Sequence, residues 1–299
     1  MTRRRDLEQH RHSLSEIRDI MNSMKTLAYM ETRKLARFLD AQHTVVKSIE
    51  DAAADLLSFY PDILPAAKHS AAVYLLIGTE RGFCGDFNHA LVRRLASTLR
   101  EYPVDQPILI AIGRKLYTLL EDDLRMAGSI NGASVVEEVT DLLSRVINEV
   151  MTLQARHGSL GLFCLYHNGQ DDIAMKRLLP PFQEILHRPR QFPHPPLLNL
   201  PPREFLAELA EHYLFAALHE MLYTSLNAEN YHRVKHLEGA VKHLDDESDK
   251  LARQCNALRQ EEIIEEIEVI LLSASSLDTS RHEHQSLSAR NSATTERDG

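Results

Sequence analysis

Tryptophan is absent from the 299 residues, aromatic side chains make up only 6%, and residues 6–58 contain neither glycine nor proline. Leucine, alanine and glutamate are abundant instead, a composition that leans towards long helices. The three cysteines, Cys84, Cys164 and Cys255, stand far apart with no CxxC pair. That argues against a disulfide framework and suits a reducing, intracellular compartment. Basic residues are outnumbered 34 to 43, for a formal charge of −9, so the overall positive field that holds nucleic acid is missing. No apolar run approaches the ~20 residues needed to span a bilayer, and membrane association is expected only through partners. Arg3, Arg4 and Arg5 carry the charge of a signal n-region, but the stretch behind them is rich in Glu, His and Arg and is no apolar h-region.

What is present at the two ends is a heptad pattern. Steps of three and four residues from Leu7 pass through Leu14, Ile17, Met21, Met24, Ala28, Leu35, Phe38, Val45, Ile49, Ala52 and Leu56. His10, Glu31 and Gln42 are polar positions on the same seam. Val234, Leu237, Val241, Leu244, Ser248, Leu251, Cys255 and Leu258 repeat the pattern near the other end, continuing through Ile263, Ile267, Ile270 and Ala274. A 3.5-residue period held this long is a coiled-coil signature. Pro201 and Pro202 mark the start of the second helix, since proline fits a first turn. The terminal helices are therefore expected to pair as an antiparallel coiled coil, the acidic band Glu261, Glu262, Glu265, Glu266 and Glu268 meeting Arg11 and Arg18.

Between the ends the period changes. Apolar, β-rich runs at 71–77, 108–112 and 160–166 alternate with helical stretches at 89–101, 115–125 and 136–156, and a weaker strand lies near 173–179. Buried strands alternating with helices predict a Rossmann-like α/β domain with a mostly parallel sheet. Most of the chain's prolines fall between Pro180 and Pro202, an extended return to the coil. The fold class is thus α/β with long helices: a coiled-coil helix over 1–60, an α/β domain over 68–200, a second coiled-coil helix over 203–277, and a polar, disordered tail over 278–299.

The densest motif is the run from Gly78 to Asn88, after a strand and before a helix. It lacks both the Lys-Ser/Thr of a phosphate loop and the GxGxxG of a dinucleotide site, so it reads as a structural strand-to-helix turn. Cys84 with Arg81 beside it is a candidate nucleophile, but no His and acid complete a triad. His232 and His236 share a helical face without an evident third metal ligand. Gly113-Arg114-Lys115 could hold an anion at a helix start. Neither a cofactor nor a metal is expected.

At these residues the sequence resembles the γ subunit family of F-type ATP synthases. The family's strand-turn motif is echoed by Arg81, Gly82, Cys84, Gly85, Phe87 and Asn88. Its N-terminal helix motif is similar to Asn22–Lys34, and its C-terminal elements to Ser225–Val234 and Cys255–Ile270. Departures at Asp86 and Glu31, which replace a glycine and a lysine, and at His243 and Ile264 mark a divergent branch.

The resemblance implies a non-catalytic central-stalk rotor on the cytoplasmic face of a bacterial inner membrane, held there peripherally by its partners. Those partners would be the α and β subunits, the ε subunit and the membrane c-ring. It further implies subunit contacts at Met24, Lys25, Arg259 and Gln260 and a structural turn at Arg81, Gly82, Cys84, Gly85 and Asn88. Placing Met24 level with Arg259 sets Ala52 level with Tyr231, with both seams in phase. The competing readings are a coiled-coil scaffold carrying a ligand-sensing α/β domain and a cysteine-dependent enzyme.

Overall fold

The computed structural model describes residues 2–65, 71–169, 172–188 and 191–295, with side chains beyond 272 outside the description. Its elements run α1 (Thr2–Phe59), β1 (Ala71–Ile77), α2 (Phe87–Glu101), β2 (Ile108–Ile112), α3 (Arg114–Leu120), β3 (Met126–Ile130), α4 (Val139–His157), β4 (Leu160–His167), β5 (Ile173–Leu179) and α5 (Pro202–Thr295). The chain divides into two compact units, residues 1–21 with 240–299, and residues 22–239.

In the larger unit a five-stranded sheet is ordered β3-β2-β1-β4-β5. The β1/β2, β1/β4 and β2/β3 pairs are parallel, and β5 closes one edge antiparallel to β4. Strand β1 shows why its run is apolar throughout: both faces are covered. Ala72, Tyr74 and Leu76 pack with Leu91 and Leu95 of α2 and Leu116 of α3. Val73, Leu75 and Ile77 join the cluster of Leu143 and Val146 of α4, Leu35 and Leu56 of α1, and Met221 and Leu222 of α5. The inserted domain is therefore built directly onto the helix pair.

Strand β3 was not anticipated. Its sequence, Met-Ala-Gly-Ser-Ile, has little β-branched content, and its burial alternates as befits an edge strand. Helix α3 ends at Leu120, short of the expected Arg125, because the following residues form the turn into β3. Helix α5 continues past the expected end at Leu277 to Thr295, and no glycine or proline interrupts that stretch. Residues 296–299 of the expected tail lie outside the described residues.

Within the larger unit α1 and α5 run antiparallel. Phe38 stacks on Tyr223 at 5.9 Å, Gln42 bonds His219 at 2.6 Å, His43 bonds Glu220 at 2.8 Å, and Glu50 accepts from Tyr213 at 3.5 Å. These pairs correct the expected register. Ala52 lies level with about residue 211 instead of Tyr231, a slip of roughly three heptads. Any whole-heptad slip keeps both seams in phase, so periodicity alone could not select the answer.

The seam also drifts by one position along α1. Val46 and Ala53 are buried, at 3% and 0% exposure, while the expected Val45 is 45% exposed. A helix wrapped against a sheet and a second helix follows the 3.6-residue period of a straight helix more closely than the 3.5 of a supercoil.

In the smaller unit the same antiparallel sense holds. Arg18 pairs with Asp245, and Arg4 with Glu262 at 3.1 Å. The acidic band thus meets Arg4 through Glu262, not Arg11 and Arg18 as expected.

His219 is half-buried at the α1/α5 contact, and its pKa is lowered by burial. A depressed histidine pKa favours the neutral form in the fold, so its contribution is complete above the unfolded value of about 6.5 and is lost as pH falls below it. His219→Gln, which can keep a bond to Gln42, is expected to flatten the loss of stability between pH 6.5 and 5 in paired urea titrations. Identical slopes for the two proteins would refute this.

Candidate functional site

The turn between β1 and α2 is assembled from three directions. Gly78 donates to Ile112 O at 2.9 Å, tying β1 to β2. A Cβ on Gly78 would lie 2.4 Å from the Leu116 Cβ and 2.8 Å from Asn88 Oδ1, so only glycine lets α3 and Asn88 approach. Asn88, in the first turn of α2, accepts from Thr79 N at 3.0 Å and donates to Thr79 Oγ1 at 2.9 Å. Gly85 supplies a left-handed φ of +59°, and Phe83 adopts +65° beside it. Gly82 has open space where its Cβ would be, and its carbonyl accepts from Arg233 Nε at 3.3 Å.

Arg233 comes from α5 and is 5% exposed. Besides Gly82 O it bonds Asn230 Oδ1 at 2.7 Å and forms an ion pair with Glu229, itself 3% exposed. Burial pushes the Glu229 carboxyl up to about 7, against the opposing pull of Arg233 and of the Arg81 N–H. Ser225, one turn earlier, donates to Ile77 O at 3.3 Å. Helix α5 thus carries a buried polar ladder that seizes the end of β1 and the turn after it.

This network was not singled out from the sequence as a site. The legible signal was an i, i+4 Glu229/Arg233 pair on the helical face that follows Leu218, Leu222 and Leu226, where an exposed pair would be out of place.

Cys84 is buried, and desolvation pushes its thiol up to about 12, with Glu229 adding to the effect. The expected activation by Arg81 is absent from those causes; a thiol so held is a poor nucleophile. Its Sγ donates instead to Gly82 O at 3.4 Å. The helix start at Arg114 is likewise taken: Glu80 Oε2 accepts from Arg114 N at 3.0 Å and Gly132 N at 2.8 Å. Asp86, the departure from the resembled motif, is exposed and paired with Arg93 of α2.

Among the expected contact residues, Met24 and Lys25 are half-buried on α1 in the larger unit, while Arg259 and Gln260 are exposed on α5 in the smaller one. Met24 borders a cleft with Leu27 and Met30, which are 64% and 61% exposed. His236 faces the β1–α2 turn, and His232 meets Phe87 edge-on. Among the described residues no group of three or more His, Cys, Asp or Glu is placed to hold a metal, and no helix is long and apolar enough to cross a membrane.

A sheet domain fastened by buried bonds to two long antiparallel helices is the architecture of a helical stalk subunit. The ATP synthase family model matches residues 3–277, and the chain belongs to the γ family of ATP synthases. It is 25% identical to the ATP synthase gamma chain of Desulforamulus reducens, over 93% of this chain and 100% of that one. Against the gamma chain of Clostridium botulinum it is 22% identical, over 87% and 93% respectively. Its fold matches chains in two structures of the Euglena gracilis mitochondrial ATP synthase. One, of the rotor, gives a TM-score of 0.59 at 16% identity over 88% of this chain and 99% of that chain. The other, of the OSCP/F1/c-ring assembly, gives 0.61 at 17% identity over 94% and 96%.

Removing Arg233 leaves the buried Glu229 carboxyl, Asn230 Oδ1 and the Gly82 carbonyl without their shared partner, so Arg233→Ala is expected to cost about 3–5 kcal/mol. The double variant Arg233→Leu/Glu229→Leu should recover much of that loss in denaturant titrations. A single variant as stable as the parent would show that the ladder does not hold the turn.

Proposed function

We propose that this chain is the rotor of an F-type ATP synthase, coupling ion flow through a membrane ring to nucleotide turnover on partner subunits. The observation that carries the reading is a band of exposed apolar side chains on α5. Ile263, Ile264, Ile267, Ile270, Leu271 and Leu272 are each between 47% and 69% exposed. An apolar patch of this kind marks a surface that another protein covers.

A surrounding ring of α and β subunits supplies that cover. Its three catalytic sites would each meet a different face of the helices, which biases otherwise identical sites towards different nucleotide affinities. Met24, Lys25, Arg259 and Gln260 would make the contacts through which the helices act on the ring. The α/β domain would serve as the foot, against the ε subunit and the c-ring, placing the protein peripherally at the cytoplasmic face of a bacterial inner membrane. Polar seam positions such as Gln42 suit helices whose surfaces meet several partners in turn.

Co-expressed α and β subunits should capture one copy of this chain per three αβ pairs. Ile267→Asp with Ile270→Asp should weaken that capture by about a hundredfold or more, since each buried isoleucine contributes about 1.5–3 kcal/mol. Arg259→Ala and Gln260→Ala should lower ATP synthesis by the reconstituted enzyme while leaving helix content unchanged. Undiminished capture by the double variant would refute the band's role, and undiminished synthesis would remove Arg259 and Gln260 from the contacts.

A further inference from the structure

The rotor reading makes no use of a cleft of about 340 Å³ beside the β1–α2 turn, walled by that turn, α2, α3 and α5. It opens outside the carboxyl ends of β1 and β2, next to the place where the strand order reverses. The chain leaves β1 for β2 on one side, and β4 later joins on the other. In open α/β sheets that position is where ligands bind.

The charge of its lining is unusual for this chain. Arg81, His89, Lys115 and His236 all border the cleft, and no carboxylate does. The protein as a whole carries 43 acidic residues against 34 basic ones. The acids flanking the turn are paired, Asp86 with Arg93, Glu80 with Arg114 and Glu229 with Arg233, and Asp86 also interacts with His89. Among the described residues neither Arg81 nor Lys115 enters an ion pair, so their charge is available to a ligand.

We propose that this cleft binds a phosphoryl group, with Lys115 and Arg81 supplying charge and His89 and His236 supplying N–H donors. The site needs neither a phosphate-loop lysine nor a GxGxxG run, because side chains from separate elements carry the charge. Phe83 and Leu119, 44% and 39% exposed, form an apolar border that a larger phosphate ester can lie against. The phosphoryl group is that of free orthophosphate or of a nucleotide, and the two sources separate by experiment.

The full chain would be titrated with orthophosphate and, separately, with ADP, followed by calorimetry and ³¹P resonance. One saturable site that weakens with added salt is expected for at least one probe. ADP bound in competition with orthophosphate assigns a nucleotide, and orthophosphate bound without ADP assigns the free anion. Lys115→Gln and His236→Gln, both at exposed positions, are each expected to weaken binding, the lysine variant about tenfold as befits a charged hydrogen bond. Absence of saturable binding of either probe overturns the proposal, as does affinity unchanged in both variants. The readout needs no other subunit, so it stands or falls separately from assembly with α and β.

Discussion

The antiparallel contact between α1 and α5 is the constraint on which the rest depends. Residues of one long helix must meet residues of the other, far away in sequence, before the sheet face that rests on both can be buried. Glu50 shows how the domain is tied in. It sits on α1 and accepts from Tyr213 of α5 and from Lys176 of β5, with Arg188 pairing to it from the proline-rich return. One partly buried carboxylate thus joins two helices, an edge strand and a loop. Hydrogen bonds to a charged group of this kind are stronger than neutral ones and costly to leave unmade.

The second fastening is the polar ladder of Ser225, Glu229, Asn230 and Arg233. It reaches from α5 to the end of β1 and to the turn that follows. Between them the two fastenings tie the sheet to the helices at two places, the β5 edge and the carboxyl end of the central strand β1. Departures from the resembled family are absorbed locally. Glu31, where the family has a lysine, accepts from Val136 N at 3.2 Å at the start of the turn leading into α4, and Lys34 pairs with Glu137 beside it. Asp86, in place of a glycine, is met by Arg93.

How much of this was legible follows from what periodicity encodes. The long helices, the strands β1, β2 and β4 and the turn at Gly78–Asn88 were readable because each has a strong local pattern. Strand β3 was not, since Gly128 and Ser129 carry no strand signal and only pairing with β2 makes them one. The exchange of Val45 for Val46 on the buried face reflects packing that no heptad count contains. The helix register was invisible for a sharper reason: Ala52 opposite Tyr231 and Ala52 opposite residue 211 are equally in phase. Side-chain contacts such as Gln42 with His219 decide between them. The Glu229–Arg233 pair was visible as residues, but its role appeared only when both proved buried against the turn.

The register is therefore the point to test. Cysteines introduced at Gln42 and His219 should cross-link under mild oxidation, read as a mobility shift on a non-reducing gel. Cysteines at Ala52 and Tyr231, about 30 Å apart along the helices at 1.5 Å per residue, should not. A cross-link in the second pair and none in the first would contradict the account.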